Sequence, residues 1–200
     1  MPRTIEFWYE FASTYSYPAA MRVADVAAAL DIQVIWQPFL LGPIFNDLGW
    51  RTSPFKLQPA KGAYMWRDMA RICDKAGLPF SRPDPFPQNG LLAARIALAL
   101  PDDGTRAAFS RAVYMLQFGQ GASIADPKML ERLLFDQGVD APAAMKLAQS
   151  DANKGALKHQ TDTARAHGLF GAPTWRTPDG EIFWGNDRLE DALDWVSRSG

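Results

Sequence analysis

Apolar and polar positions alternate strictly over residues 5–11. Ile5, Phe7, Tyr9 and Phe11 fall on one face, Glu6, Trp8 and Glu10 on the other. A period of two predicts a strand with one face against a core. From Tyr17 the period changes, and Ala20, Val23, Ala24, Ala27 and Leu30 form an apolar stripe at helical spacing. Pro18 is tolerated only in a first turn, where its missing N–H has no intrahelical bond to lose. The helix therefore starts between Thr14 and Tyr17. Residues 32–37 return to strand composition and complete a βαβ unit.

Between residues 39 and 168 the pattern is almost wholly helical. A loop rich in Pro, Gly and Asn leads to a helix over 63–76, which Gly77 and Pro79 close. Asn89-Gly90 opens a helix that ends near Leu100-Pro101, and another over 105–118 stops at Gly119-Gln120-Gly121. Asp126-Pro127 supplies a cap and a first-turn proline for a helix ending before Gly138. Helices over 140–150 and 151–167 follow. Residues 174–177 and 181–184 then flank a Pro178-Asp179-Gly180 turn and predict a hairpin. Asp187 with Glu190 three later predicts a capping box for a last helix carrying Leu189, Ala192, Leu193 and Val196. The order βαβ, helices, αββα describes an α/β (α+β) thioredoxin-like domain with a large all-helical insertion between its halves. Residues 1–40 and 151–200 form the thioredoxin-like part, and residues 41–150 the insertion.

The composition, with 48% apolar and 22% charged residues, is that of an ordinary globular chain. Lys and Arg number 21 against 22 Asp and Glu, so no global field draws it to nucleic acid or an anionic membrane. No apolar run is long enough to span a bilayer, and residues 1–4 lead into a strand without the apolar core of a signal peptide. The single cysteine, Cys73, excludes an intrachain disulfide and a cysteine-based metal cluster, and fits a reducing, cytoplasmic setting. His159 and His167 are eight apart, not the four that places two ligands on one helical face, so no metal site is expected.

Ser13 and Ser16 stand three apart where the first strand hands over to its helix. Free N–H groups and the positive end of a helix dipole beside Ser13 would stabilise an anion such as a thiolate; a plain N-cap serine is the alternative. There is no Gly-x-Ser-x-Gly elbow to make it a hydrolase nucleophile. Ala172-Pro173 is either an ordinary edge-strand start or a cis peptide in a tight turn. Asn186 and Asp187 either cap the last helix or hold the charged ends of a small zwitterion. Lys61 is a solvated cation or a ligand contact. Trp50, Tyr64, Trp66, Phe86 and Asn89 form either a pocket for a flat ligand or part of the helical core. Cys73 lies on an apolar helix face and reads as structural.

Five segments in order resemble the 2-hydroxychromene-2-carboxylate isomerase family, related to kappa-class glutathione transferases and DsbA-type thioredoxin folds. They are FWYEFASTYSY from Phe7, QPFLLG from Gln37, PAKGAYM from Pro59, FGAPT from Phe170 and FWGNDRL from Phe183. The resemblance implies a glutathione-dependent enzyme. It places the family's functional serine, the first of Ser-Pro-x-Ser-Tyr, on Ser13, with Thr14 where that pattern has proline. It implies that Ala172 and cis-Pro173 pair with the cysteinyl backbone of glutathione. It also implies that Asn186 and Asp187 bind the γ-glutamyl group and that Lys61 lies at the glutathione or substrate pocket. Trp50, Tyr64, Phe86 and Asn89 are then the substrate pocket, with Gly49-Trp50 where some relatives carry Asn after the loop glycine.

The implied activity is cis-trans isomerisation of a small aromatic substrate, between 2-hydroxychromene-2-carboxylate and trans-o-hydroxybenzylidenepyruvate. A glutathione thiolate stabilised by Ser13 adds reversibly to the conjugated system, so the former double bond can rotate. The family further implies a homodimer. Two alternatives stay open: a kappa-like transferase acting on other electrophiles, and a non-catalytic thioredoxin-like binding protein or chaperone.

Overall fold

The computed structural model describes residues 2–199. Strand β1 (Arg3–Tyr9) lies inside a four-stranded mixed sheet of order β2-β1-β3-β4. It pairs in parallel with β2 (Ile32–Pro38), the two joined by helix α1 (Ser16–Ala28), and antiparallel with β3 (Thr174–Arg176). β4 (Ile182–Trp184) adds the hairpin edge. The β1 strand is shorter than the alternating run, because the chain turns at residue 10. The Ser13 N–H reaches back to the Glu10 carbonyl at 3.0 Å. Phe11 nevertheless stays buried, so the alternation persists in burial beyond the end of the ladder.

The register stacks aromatic residues on one face. Phe7 sits between Trp36 and Trp175, with ring centroids 4.9 and 4.6 Å away. Against this face pack Ala20, Val23 and Ala27 of α1 and Leu189, Leu193 and Val196 of α10 (Leu189–Ser199). The opposite face is not simply polar, as the alternation had suggested. Trp8 is buried there with Phe39, Leu41, Ile44, Ala164 and Leu169, and its indole N–H donates to Glu6 at 2.8 Å. An indole can lie among charged positions because helices cover its body while its one donor finds a carboxylate.

Helices fill the chain between β2 and β3: α2 (Leu41–Asp47), α3 (Pro54–Leu57), α4 (Pro59–Ala76), α5 (Leu91–Ala99), α6 (Asp103–Tyr114), α7 (Pro127–Asp136), α8 (Ala141–Ala148) and α9 (Asp151–Ala166). The predicted cap holds at Asp126, Asp140 caps α8 in the same way, and Gly77 closes α4 in the left-handed region. The segment 63–76 extends back to Pro59, because a proline at the first helical position starts a helix rather than breaking it. The segment 105–118 divides into α6, capped by Asp102, and a π-helical turn over Met115–Gly119. A Cβ on Gly119 would lie 2.4 Å from Met115 Sδ, so a larger residue there would push the Met115 side chain aside.

One buried cluster joins Ile5, Phe7 and Tyr9 of the sheet to Met65, Met69, Ile96, Val113 and Leu130 of the inserted helices. Among the described residues no helix is long and apolar enough to cross a membrane.

Candidate functional site

Residues 10–15 form a tight connection between β1 and α1. Its geometry answers the question of what Ser13 does locally. Helix α1 begins at Ser16, three residues further on, with Tyr15 in the capping position and no side-chain cap. Ser13 is therefore not an N-cap. Its hydroxyl donates instead to the Ala172 carbonyl at 2.8 Å, across 159 residues of sequence. Ser16 is fully buried in the first turn of α1. Thr14 is buried with its hydroxyl unpartnered among the described residues, and nothing in the structure explains the threonine there.

The Ala172-Pro173 peptide bond is cis. The loop that holds it is fastened on both sides: Thr174 Oγ1 donates to the Gly171 carbonyl at 2.9 Å, and the Gly185 N–H to the Pro173 carbonyl at 3.0 Å. Gly171 lies under the Trp184 indole, where an added Cβ would come within 2.4 Å of Nε1. Among the described residues the Ala172 N–H has no hydrogen-bond partner.

Gly185 brings the chain from β4 into a 3-10 turn, Asn186–Arg188, ahead of α10. That turn replaces the capping box expected from Asp187 and Glu190. The Glu190 carboxylate is taken instead by Arg22 of α1, whose hydrogen bonds hold its pKa down. Arg22 also donates through Nε to Asn186 Oδ1 at 3.1 Å and through Nη2 to the Asn186 carbonyl. Arg22 thus ties the helix that follows Ser13 to the turn that carries Asn186 and Asp187. Sequence reasoning missed it, since no local pattern relates an arginine to a partner 164 residues away.

Hydrogen bonds therefore tie Ser13 to Ala172, Pro173 to Gly185 and Asn186 to Arg22 of α1, and Asp187 follows Asn186 in the same turn. The remaining candidates are placed differently. Lys61 is exposed in the first turn of α4, its ammonium 5.9 Å from the Phe55 ring. Trp50 packs on Phe45, with centroids 5.6 Å apart. Tyr64 is 61% exposed. Asn89 Oδ1 accepts the Leu91 N–H at 3.0 Å at the start of α5. Of the four substrate-pocket candidates, only Phe86 lines the cavity beside α3 and α4.

That cavity, of about 630 Å³, is bordered by Phe55, Met65, Trp66, Arg82 and Phe86. Trp66 and Phe86 meet edge-to-face at 4.6 Å, and the Arg82 guanidinium lies 4.8 Å over the Trp66 ring. An aromatic wall with an attached cation fits a flat anionic molecule. Tyr15 connects it to the Ser13 turn: its ring is 6.2 Å from that of Phe55, and its hydroxyl donates to Asp68 at 3.0 Å. Burial, followed by Asp68, raises the Tyr15 pKa above the usual phenol range, so it remains a protonated donor. Burial likewise pushes the Cys73 thiol up to about 11, in keeping with a structural thiol.

Comparison with known proteins bears on the family and the fold. The family model described as a DSBA-like thioredoxin domain matches residues 4–196. A 2-hydroxychromene-2-carboxylate isomerase from Sphingobium xenophagum is 30% identical, over 95% of this chain and 96% of its own. Human glutathione S-transferase kappa 1 is 28% identical, over 95% of this chain and 89% of its own. A solved 2-hydroxychromene-2-carboxylate isomerase superposes with a TM-score of 0.88 at 23% identity, covering 98% of this chain and 97% of that one.

Proposed function

We propose that this chain, which belongs to the DSBA-like thioredoxin family and is similar along its length to 2-hydroxychromene-2-carboxylate isomerases, is a glutathione-dependent cis-trans isomerase of aromatic catabolism. One observation carries the reading: the Ser13 hydroxyl, at a position where thioredoxin-like redox proteins hold a cysteine, is bonded to the carbonyl just before cis-Pro173. A serine there cannot form a disulfide. It can donate a hydrogen bond to a sulfur that arrives on another molecule.

The residues present fit a γ-glutamyl tripeptide thiol. Ala172 offers a free N–H and a carbonyl to an extended backbone, and Asn186 with Asp187 offers polar groups to its zwitterionic end. When bound, glutathione would supply a thiolate able to add reversibly to a conjugated double bond. The Ala172 carbonyl would accept an amide N–H of the ligand, and the Ser13 hydroxyl, now bonded to that carbonyl, would donate to the sulfur. Arg22 holds the Asn186 turn in register with α1 throughout. Trp66, Phe86 and Arg82 suit the flat, carboxylate-bearing substrate that the isomerase relatives' name describes.

The test is direct. The protein incubated with glutathione and 2-hydroxychromene-2-carboxylate is expected to form the trans isomer while total glutathione stays constant. Stoichiometric loss of glutathione, with a chloronitrobenzene as a second acceptor, would replace this reading with a kappa-like transferase.

A further inference from the structure

The Ser13 turn contains a carboxylate that the proposed function has not used. Glu10 Oε2 accepts the Ala12 N–H at 2.9 Å, while the Glu10 backbone carbonyl accepts both the Ser13 N–H at 3.0 Å and the Tyr114 hydroxyl at 2.9 Å. Gly90 closes over the far side: a Cβ there would meet Phe11 Cβ at 2.9 Å and Glu10 Oε1 at 3.5 Å. From α6, Tyr114 is the titratable group that faces Glu10, with Tyr9 of β1 next to it. Burial pushes both phenols far above their ordinary pKa, so neither ionises near neutrality. No charged side chain among the described residues offsets Glu10. The carboxylate thus has no ion-pair partner among the described residues and is held, in the turn that carries Ser13, by the Ala12 backbone amide.

We infer that Glu10 positions Ser13 and is the net acceptor of the proton that a thiol loses on binding beside that serine. This rests on the glutathione reading. In the balanced step the S–H bond breaks, its electron pair stays on sulfur, and the proton ends in an O–H bond on the Glu10 carboxyl. The physical reason is repulsion between like charges. A thiolate arriving within one turn of an unpaired carboxylate favours protonation of that carboxylate. Desolvation already raises the Glu10 pKa to about 7, the backbone amides of the turn opposing it, so little further shift is needed for proton uptake at neutral pH. A carboxylate with an ordinary pKa would stay ionised, and the thiol proton would go to solvent.

The experiment counts protons rather than turnover. Glutathione is titrated into the full chain by calorimetry in two buffers of different ionisation enthalpy, and bound thiolate is measured by its ultraviolet absorbance. At about pH 8 the wild type is expected to release at least half a proton fewer per thiolate formed than Glu10→Gln does. That difference closes toward about pH 6, where Glu10 is already protonated in the free protein. One proton released per thiolate in the wild type at about pH 8 would overturn the inference while leaving the glutathione reading intact. This wild-type ratio decides the matter even where the variant fails to fold. Absence of any heat of glutathione binding would overturn both.

Discussion

In the proposed reaction Ser13 is the residue on which the chemistry turns, and its side chain has two separable roles. It links two loops through one hydrogen bond to the Ala172 carbonyl, and in the proposed reaction it donates to a sulfur. Ser13→Ala is expected to cost about 1 kcal/mol of stability, the usual net value of one such bond, measured by urea unfolding. Its turnover should fall by about a hundredfold, as on loss of one preorganised donor to a developing charge. Unchanged turnover would remove Ser13 from the mechanism. At this scale the sequence was informative where the candidate residues lie in a short contiguous motif, as at Ser13 and Ala172-Pro173. It was silent on Arg22, whose partners Asn186 and Glu190 are adjacent only in the folded chain.

The candidate site is assembled from the ends of three elements: the turn before α1, the loop before β3 and the 3-10 turn before α10. Arg22→Met leaves the helix stripe of α1 intact but frees the Asn186 turn. We expect the KM for glutathione to rise about tenfold with kcat within about twofold, the pattern of lost binding that is uniform in ground and transition state. A fall in kcat at constant KM would mean that Arg22 acts on the reacting atoms instead. Gly171 tests the loop itself. Gly171→Ala drives a Cβ into the Trp184 indole and should lower stability by about 1–3 kcal/mol, the range for overpacking. Adding Trp184→Ala is expected to recover part of that loss, seen as non-additivity in thermal unfolding. Helices marked by their own caps, such as α7 with Asp126-Pro127, were legible in sequence. Helix α2 was not, since its Leu41 and Ile44 are apolar for the sake of Trp8 on the sheet, and seven residues are too few to show a period.

For the whole molecule, the raised pKa of Glu10 predicts a particular pH dependence of stability. The folded state keeps a proton on Glu10 up to about 7, whereas the ordinary carboxylate value is 4.5. Between these values the native state binds more protons than the unfolded one, so this group's contribution falls as pH rises through the window. It is most favourable below 4.5 and fully lost above about 7. Glu10→Gln should flatten that slope and be relatively more stable than wild type above neutrality, measured by urea unfolding across pH. A parallel slope in both proteins would show that Glu10 titrates normally. By itself the sequence determined the βαβ start, the helical insertion, the hairpin and the serine at the strand-to-helix junction, because period, caps and turn residues act over a few neighbouring positions. Tertiary structure alone decided that Ser13 bonds Ala172 rather than capping α1, that Trp8 is covered, and that Phe86 meets Trp66 while Trp50 meets Phe45. Those choices depend on which surfaces are brought together in the shared core, and no local pattern along the chain carries that information.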